Sequence, residues 1–214
     1  KKYEMTSDLY PVNVCYNVVL AVERNARTLD YEETSKDFTF NAAATHPAED
    51  REIYVLVVGE TSRALNWSLY GYDRETNPKL SEVSGLTAFT NVLTQSNTTH
   101  KSVPMLMSAV SAENFDSIYH QKGIITAFKE AGFKTAFFSN QRYNNSFIDF
   151  FGKEADHYDF IKEDSLTAGQ NLSDDYLLAL VQEELAKGNR KQFIVLHTYG
   201  SVSYTHLRAH ETVL

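Results

Sequence analysis

A continuous hydrophobic run in the first half of the chain constrains the fold more than any other feature. Residues Ile53 to Val58 are all hydrophobic and mostly β-branched, and a glycine follows them. Such a run is typical of a strand buried on both faces of a parallel sheet. A strand with one solvent-exposed face would instead alternate apolar and polar residues. Leu86–Leu93, Phe133–Phe138 and Gln192–His197 are three further strand candidates. The pattern therefore predicts a sheet that is covered on both sides.

Helical patterns lie between these strand candidates. Ser102–Val110 is largely apolar, with Pro104 where a first turn tolerates proline. Gly123–Ala131 has apolar residues at helical spacing, and Gly132 is a suitable stop. Ser173–Lys187 is amphipathic, with its serine as a suitable N-cap. Strands that alternate with helices predict an α/β fold with a mostly parallel sheet flanked by helices.

The first 50 residues differ from the rest of the chain. Val12–Val22 has a short helical pattern, but residues 32–50 lack periodicity, so 1–50 is predicted to be a linker and 51–201 the folded domain. The sequence contains no run of roughly 18 apolar residues, so no membrane-spanning helix is predicted. Because the first residue is Lys1 rather than Met and the opening reads like mid-protein sequence, we expect the natural amino terminus to lie upstream.

Charge and cysteine content exclude some classes of function. The 214-residue chain has a net charge of −8 and no cluster of Lys and Arg, which disfavours nucleic acid as a partner. Cys15 is the single cysteine, so an internal disulfide and a zinc site of paired cysteines are both excluded.

A carboxylate follows the first strand candidate. In open α/β sheets, functional groups gather where strands end, and Glu60 would project from the carboxyl edge of the sheet. A carboxylate at this point is a suitable ligand for a divalent metal ion. The alternative is that Glu60 only caps a following helix.

Hydroxyl groups crowd before the helix predicted at Ser102, including Thr98 and Thr99. Helix starts favour anions, because their first N–H groups are free and the helix dipole is positive there. A threonine in this place would attack phosphorus only with help from a metal ion or a base. The alternative is an ordinary Ser/Thr N-cap.

Several motifs resemble the lipid A phosphoethanolamine transferases. This family includes the mobile colistin-resistance enzymes and belongs to the alkaline phosphatase and sulfatase superfamily. The motifs span about 51–201 and comprise Val57–Arg63, Asn66–Trp67, Gly71–Pro78, Asn91–Val92, Thr98–Thr99, Ser102–Pro104 and Leu196–Ser201. The resemblance implies the family's three-layer sandwich, incomplete in this chain.

By this resemblance, Glu60 is a zinc ligand. Thr99 would both bind zinc and accept the phosphoethanolamine group as a covalent intermediate. Thr98 is the competing hydroxyl, but Thr99 lies five residues before Pro104 and 39 residues after Glu60, and both spacings match the family. Asn140 and Gln141 follow the third strand candidate, where the family has polar substrate-binding groups.

The resemblance also implies a reaction and a location. Phosphatidylethanolamine would be the donor, and lipid A or another envelope glycan would be the acceptor in a two-step transfer that depends on zinc. The family is anchored in the bacterial inner membrane by N-terminal helices, and its catalytic domain is periplasmic. Residues 1–50 would then be a periplasmic linker after an anchor that this sequence lacks.

The chain departs from the family pattern at the second half of the metal site. The family completes that site with an Asp-His-Gly-Glu motif after the segment matched by Leu196–Ser201, and this sequence has none. Asp156-His157 precedes the fourth strand and continues as Tyr-Asp, so we interpret it as a surface or strand-edge pair. With Glu60 and Thr99 alone, the chain as written is expected to bind zinc poorly and to be inactive.

The last residues, 202–214, resemble translated sequencing-adapter read-through rather than natural sequence. We therefore exclude them from the domain, and with them His206, His210 and Glu211, which superficially look like a metal-ligand cluster.

Other functions stay open at this point. A sulfatase or phosphodiesterase could use the same scaffold, although no Cys/Ser-x-Pro-x-Arg motif surrounds Thr99. A phosphoglycerol transferase is a nearer alternative, and a non-catalytic envelope domain is a different one. A Rossmann nucleotide-binding module is disfavoured because no Gly-x-Gly-x-x-Gly motif follows the first strand.

Overall fold

A four-stranded parallel sheet forms the centre of the molecule. The computed structural model describes residues 9–60, 62–162 and 172–199, and structural statements refer to these residues. The strands have the order β1-β4-β2-β3, with bounds β1 (Glu52–Val58), β2 (Lys134–Ser139), β3 (His157–Phe160) and β4 (Lys191–His197). The parallel α/β sheet predicted from the sequence is confirmed.

The register of the strands brings their carboxyl ends to one edge of the sheet. Val58 pairs with His197, and His197 pairs with Ser139 on its other side. Ser139 in turn pairs with Phe160. We call this boundary the carboxyl edge. Residues that follow different strands, far apart in sequence, therefore become neighbours there.

Seven α-helices and three short 3-10 turns accompany the sheet in the described residues. The helices are α1 (Val12–Leu29), α2 (Tyr31–Thr34), α3 (Pro78–Ser81), α4 (Thr99–Leu106), α5 (Ile124–Glu130), α6 (Phe147–Lys153) and α7 (Tyr176–Ala186). The 3-10 turns are Ala64–Asn66, Ser68–Tyr70 and Phe115–His120. None of these helices is both long and apolar enough to cross a bilayer.

The core has two layers, one on each face of the sheet. Successive residues of a strand point to opposite faces, so Phe137 and Phe138 enter different layers. Phe137 packs in the larger layer with Ile125 of α5 and Phe151 of α6. Phe138 packs on the other face with Leu177 of α7. Both phenylalanines are fully buried, and each contributes on the order of 2 kcal/mol.

Two strand predictions need correction. Leu86–Leu93 forms no strand, and its large apolar side chains are exposed, with Leu93 at 89%. Alternation produces a strand only where a neighbouring strand and a buried face are present, and the described residues provide neither here. In β1, Val55 and Val57 are exposed rather than buried on both faces. β1 is an edge strand of the described sheet, and α7 packs over β2 and β4 rather than over β1.

Two helices begin at other residues than the sequence predicted. α4 begins at Thr99 rather than Ser102, which leaves Pro104 inside the helix. α7 begins at Tyr176 with Asp175 as its N-cap, so Ser173 is not the cap. Gly132 has φ of +85° and ends α5 as predicted, since only glycine adopts this conformation without strain.

The amino-terminal segment is more ordered than its composition indicated. The helix predicted over Val12–Val22 continues to Leu29, and none of its residues is buried. Tyr31, in the segment predicted as a linker, is 3% exposed and stacks on Phe150 of α6 with a ring-centroid separation of 5.2 Å. The core of the domain thus includes a residue that precedes position 51.

The start of β1 holds an ion pair that makes stability depend on pH. Lys191 Nζ donates to Glu52 Oε1 at 2.6 Å, and His46 Nδ1 lies 3.0 Å from Glu52 Oε2. These hydrogen bonds, first from Lys191 and then from His46, lower the pKa of Glu52 from its ordinary value of 4.5 to about 2. Because the folded-state pKa is depressed, the contribution is present above pH 4.5 and is lost as the pH falls towards 2.

We therefore predict that Glu52→Gln lowers the Tm at pH 7, and that the difference from the parent chain shrinks between pH 4.5 and pH 2. Thermal unfolding followed by circular dichroism across this range measures the difference. Glu49→Gln, at an exposed position nearby, is the control and should change little at any pH. A difference in Tm that stayed constant down to pH 2 would contradict the assignment.

Candidate functional site

Glu60 and Thr99 meet at the carboxyl edge. Glu60 lies two residues beyond the end of β1 and is 6% exposed. Thr99 is the first residue of α4, and Thr98 precedes it in an extended conformation as the N-cap. The Thr99 Oγ1 hydroxyl donates a hydrogen bond to Glu60 Oε2 at 2.9 Å. The fold therefore brings together the two residues singled out from the sequence, across 39 positions.

The beginning of α4 adds a positive potential around Thr99. The N–H groups of Lys101 and Ser102 bond to the carbonyl oxygen of Thr98, while those of Thr99 and His100 come too early in the helix for an intrahelical acceptor. Free N–H groups and the helix dipole both favour negative charge at this position. The surroundings of the Thr99 hydroxyl thus suit an anionic group such as a phosphate.

His197 is a third member of this site that the sequence analysis did not select. It is the last residue of β4, is 1% exposed, and places Nε2 3.2 Å from Glu60 Oε1. In the sequence, His197 belongs to a predicted strand and to a family motif, and neither of these marks it as a site residue. The signal that could have found it is a titratable side chain directly after the apolar run Phe193–Leu196.

Ser139 lies on the other side of the His197 ring. Its Oγ is 3.3 Å from His197 Nδ1 and accepts a hydrogen bond from the backbone N–H of Gln141 at 3.1 Å. The backbone N–H of Asn140 donates to the carbonyl oxygen of His197 at 2.9 Å. The end of β2 is therefore tied to the end of β4 by both backbone and side-chain contacts.

Asn140 and Gln141, predicted as substrate-binding residues, also lie at the carboxyl edge. Asn140 is fully buried, and its Nδ2 donates to the carbonyl oxygen of Leu172 at 2.9 Å and to Asp174 Oδ1 at 2.7 Å. No described residue donates to its Oδ1. Gln141 Nε2 donates to the carbonyl oxygen of Thr198 at 3.0 Å. These donors hold neighbouring loops together, and a role in substrate binding stays a prediction.

A buried lysine extends the edge beyond β3. Lys162 is 5% exposed, and its Nζ lies 3.1 Å from the centre of the Tyr199 ring. Burial lowers the pKa of Lys162, the negative charge of Asp174 opposes this shift, and the positive charge of Arg142 adds to it. The edge thus carries a carboxylate at β1 and a cationic side chain at β3.

The motif block after Glu60 folds into a loop that is held by its own side chains. Asn77 Oδ1 accepts hydrogen bonds from Ser68 Oγ at 2.6 Å and from the backbone N–H of Leu69 at 3.0 Å. Thr76 Oγ1 donates to the carbonyl oxygen of Asn66 at 2.8 Å. Polar residues at these fixed spacings therefore define a loop conformation. Thr61, within the same motif, lies outside the described residues.

Asp156 and His157 lie at the opposite edge of the sheet. His157 is the first residue of β3, and its Nδ1 is 2.8 Å from Glu184 Oε2 of α7. Asp156 Oδ2 accepts from the backbone N–H of Thr135 at 3.0 Å. Because the strands are parallel, their amino ends are remote from Glu60. The interpretation of this pair as a strand-edge feature is confirmed.

The donor chemistry of the site suits part of a zinc site. Two oxygen ligands of a tetrahedral zinc ion lie about 3.4 Å apart, so the separation between Glu60 and Thr99 would need only a small increase. Within 9–60, 62–162 and 172–199, no group of three or more His, Cys, Asp or Glu side chains is arranged to hold a metal ion. The cluster formed by His206, His210 and Glu211 lies outside these ranges.

The loops behind the site depend on Asp174, which gives a stability prediction. Its Oδ1 accepts from Asn140 Nδ2 and from the backbone N–H of Tyr199 at 2.8 Å. Asp174→Ala leaves the buried Asn140 amide and the half-buried Tyr199 N–H short of an acceptor and should lower the free energy of unfolding by about 1–3 kcal/mol. Urea denaturation measures the loss. Glu183→Ala, at an exposed position of α7, should cost no more than about 0.5 kcal/mol, and equal losses in both variants would refute this role.

Comparison with known proteins places this geometry in a family context. A family model described as Sulfatase matches residues 52–206. Phosphoethanolamine transferase CptA of Salmonella typhimurium is 29% identical over 163 residues, which are 73% of this chain and 28% of that protein. The chain thus spans little more than a quarter of this curated relative.

Solved structures of phosphoethanolamine transferase domains also align with this chain. The C-terminal periplasmic domain of EcEptC from Escherichia coli, in complex with Zn, aligns with a TM-score of 0.67 and 28% identity, covering 76% of this chain and 48% of that one. The soluble domain of lipooligosaccharide phosphoethanolamine transferase A from Neisseria meningitidis aligns with a TM-score of 0.64 and 28% identity, covering 74% and 48%. The chain matches about half of each solved domain.

Proposed function

Because the chain belongs to the sulfatase family, we propose that it is part of a zinc-dependent transferase that moves a phosphoethanolamine group by way of Thr99. The observation that carries this proposal is the hydrogen bond from Thr99 Oγ1 to Glu60 Oε2 at the start of α4. The names of the aligned relatives, which are phosphoethanolamine transferases, support it. The zinc complex of the E. coli domain supports the choice of metal.

Thr99 acts as the nucleophile in this proposal. Its Oγ1 attacks the phosphorus of the donor, and the bond from phosphorus to the lipid oxygen breaks, so that the phosphoethanolamine group becomes attached to Thr99. Glu60 Oε2 orients the hydroxyl through its hydrogen bond and is within reach of the proton that leaves Oγ1. The free N–H groups at the start of α4 favour the negative charge that develops on the phosphoryl oxygens.

Glu60 and Thr99 are the residues of this chain that would hold zinc. The metal ion would supply a lowered pKa for the Thr99 hydroxyl and charge neutralisation at the phosphoryl group. These two side chains would supply two of the four ligands that a zinc site usually has. We infer that the 214-residue chain alone binds zinc weakly and does not catalyse transfer.

Phosphatidylethanolamine is the donor that we propose, and lipid A or another envelope glycan is the acceptor. The supporting observation is the name of the N. meningitidis relative, whose acceptor is a lipooligosaccharide. The E. coli structure, which is of a periplasmic domain, supports a periplasmic position for the folded domain. The N. meningitidis transferase, which is described as an integral membrane protein, supports an inner-membrane position for the whole protein. A link to polymyxin resistance follows from a lipid A acceptor.

The identity of the nucleophile can be tested in a protein that continues this chain through the rest of the catalytic domain. With zinc and phosphatidylethanolamine, peptide mass spectrometry should find one phosphoethanolamine group on Thr99. Thr99→Ala should abolish this adduct and slow transfer on the order of 10³-fold or more, because the covalent step is lost. Thr98→Ala is the matched control and should retain the adduct. An adduct on Thr98, or full activity in Thr99→Ala, would exclude the mechanism.

The metal proposal can be tested with the 214-residue chain itself. After incubation with zinc and dialysis, elemental analysis should find well below one zinc ion per chain, because half of the ligand positions are missing. Isothermal titration should show weak binding that Glu60→Ala removes and Glu49→Ala does not. Tight, stoichiometric zinc in the dialysed chain would disprove the two-ligand site.

The donor lipid distinguishes the proposed phosphoethanolamine transferase from a phosphoglycerol transferase. We expect labelled phosphatidylethanolamine to be consumed by the extended protein and labelled phosphatidylglycerol to be left intact. Thin-layer chromatography of the lipid products measures both. Preferential consumption of phosphatidylglycerol would favour the alternative transferase.

A further inference from the structure

We propose that His197 and Ser139 are positioning residues that fix the Glu60 carboxylate so that its Oε2 faces Thr99. The benefit to catalysis rests on the function proposed for the Glu60–Thr99 pair, whereas the hydrogen-bond arrangement can be tested without it. Neither residue was selected from the sequence.

The direction of the bonds around Glu60 is fixed by chemistry. Carboxylate oxygens accept hydrogen bonds, so in the arrangement that we propose the Nε2 of His197 donates to Oε1, 3.2 Å away. The Thr99 hydroxyl donates to the other oxygen, Oε2, at 2.9 Å. Each carboxylate oxygen therefore has its own donor. A rotation of the carboxylate would break both bonds.

The contacts of Nδ1, on the other side of the His197 ring, agree with a proton on Nε2. The backbone N–H of Gln141 can only donate, and it donates to Ser139 Oγ at 3.1 Å. Ser139 keeps its own hydroxyl hydrogen, and in the arrangement that we propose it donates this hydrogen to His197 Nδ1, 3.3 Å away. In the tautomer with its proton on Nε2, Nδ1 is an acceptor, which agrees with this contact. All contacts from Gln141 to Thr99 thus agree with one proton arrangement.

Burial and secondary structure make this arrangement rigid. Ser139 is fully buried and His197 is 1% exposed, and both belong to paired strands of the sheet. Glu60 and Thr99, in contrast, lie in a loop and at the start of a helix. Groups that hold a metal ligand through its remaining atom set its orientation, and their loss typically costs about 10–100-fold in metal affinity or activity. The strands therefore supply the rigidity that the loop residue lacks.

The proton arrangement can be measured in the metal-free 214-residue chain. Long-range ¹H–¹⁵N spectra report which imidazole nitrogen carries the proton, and His197→Gln identifies the signal by its loss. We expect the Nε2-protonated form for His197 and a signal that changes in Ser139→Ala. Protonation of Nδ1 with Nε2 free, or a signal indifferent to Ser139→Ala, would overturn the proposal. The tautomer itself is read in the parent chain; His197→Gln serves to assign the signal and Ser139→Ala to test the contact with Nδ1.

The positioning role is tested by cobalt titration, which reports binding by visible absorption. His197→Ala should weaken Co²⁺ binding about 10-fold or more, whereas His197→Gln, which keeps an N–H donor near Oε1, should restore most of the affinity. His157→Ala, at the opposite edge of the sheet, is the control and should bind like the parent chain. Equal affinity in His197→Ala and the parent would overturn the positioning role. Absence of any Co²⁺ binding in the parent chain would count against the proposed metal function, while the tautomer result would still decide the hydrogen-bond arrangement.

Discussion

The parallel pairing of β1, β4 and β2 is the constraint on which the rest of the site depends. Parallel strands end at the same edge, so the residues at and after those ends become neighbours whatever their separation in sequence. This pairing places His197 between Glu60 and Ser139. Without it, the site would consist of polar side chains on unrelated loops.

Burial gives these contacts their importance. Glu60, Ser139 and His197 are almost completely shielded from water. An unpaired polar group in such a buried position is costly. Each of them therefore depends on its partner. Thr99 differs because it joins the network from the start of a helix, where free N–H groups favour an anion. The site combines a carboxylate held in place with a hydroxyl in a positive potential, which suits transfer of a phosphoryl group.

Prediction from the sequence succeeded where the pattern itself contained the physical cause. The strands at Ile53, Phe133 and Gln192 are continuous or nearly continuous hydrophobic runs, and the structure has strands there within one or two residues. Leu86–Leu93 failed because alternation says nothing about whether a neighbouring strand is present. β3 was missed since four residues are too few for a periodic signal.

The sequence by itself determined the α/β class, the place where functional groups gather, and the candidacy of Glu60 and Thr99, because residue type and local spacing carry that information. Only the tertiary structure decided that these two side chains share a hydrogen bond, that His197 and Ser139 support them, and that Asp156-His157 lies at the opposite edge. The physical reason is strand order. The position of β4 between β1 and β2 depends on packing among distant segments, and no local pattern encodes it.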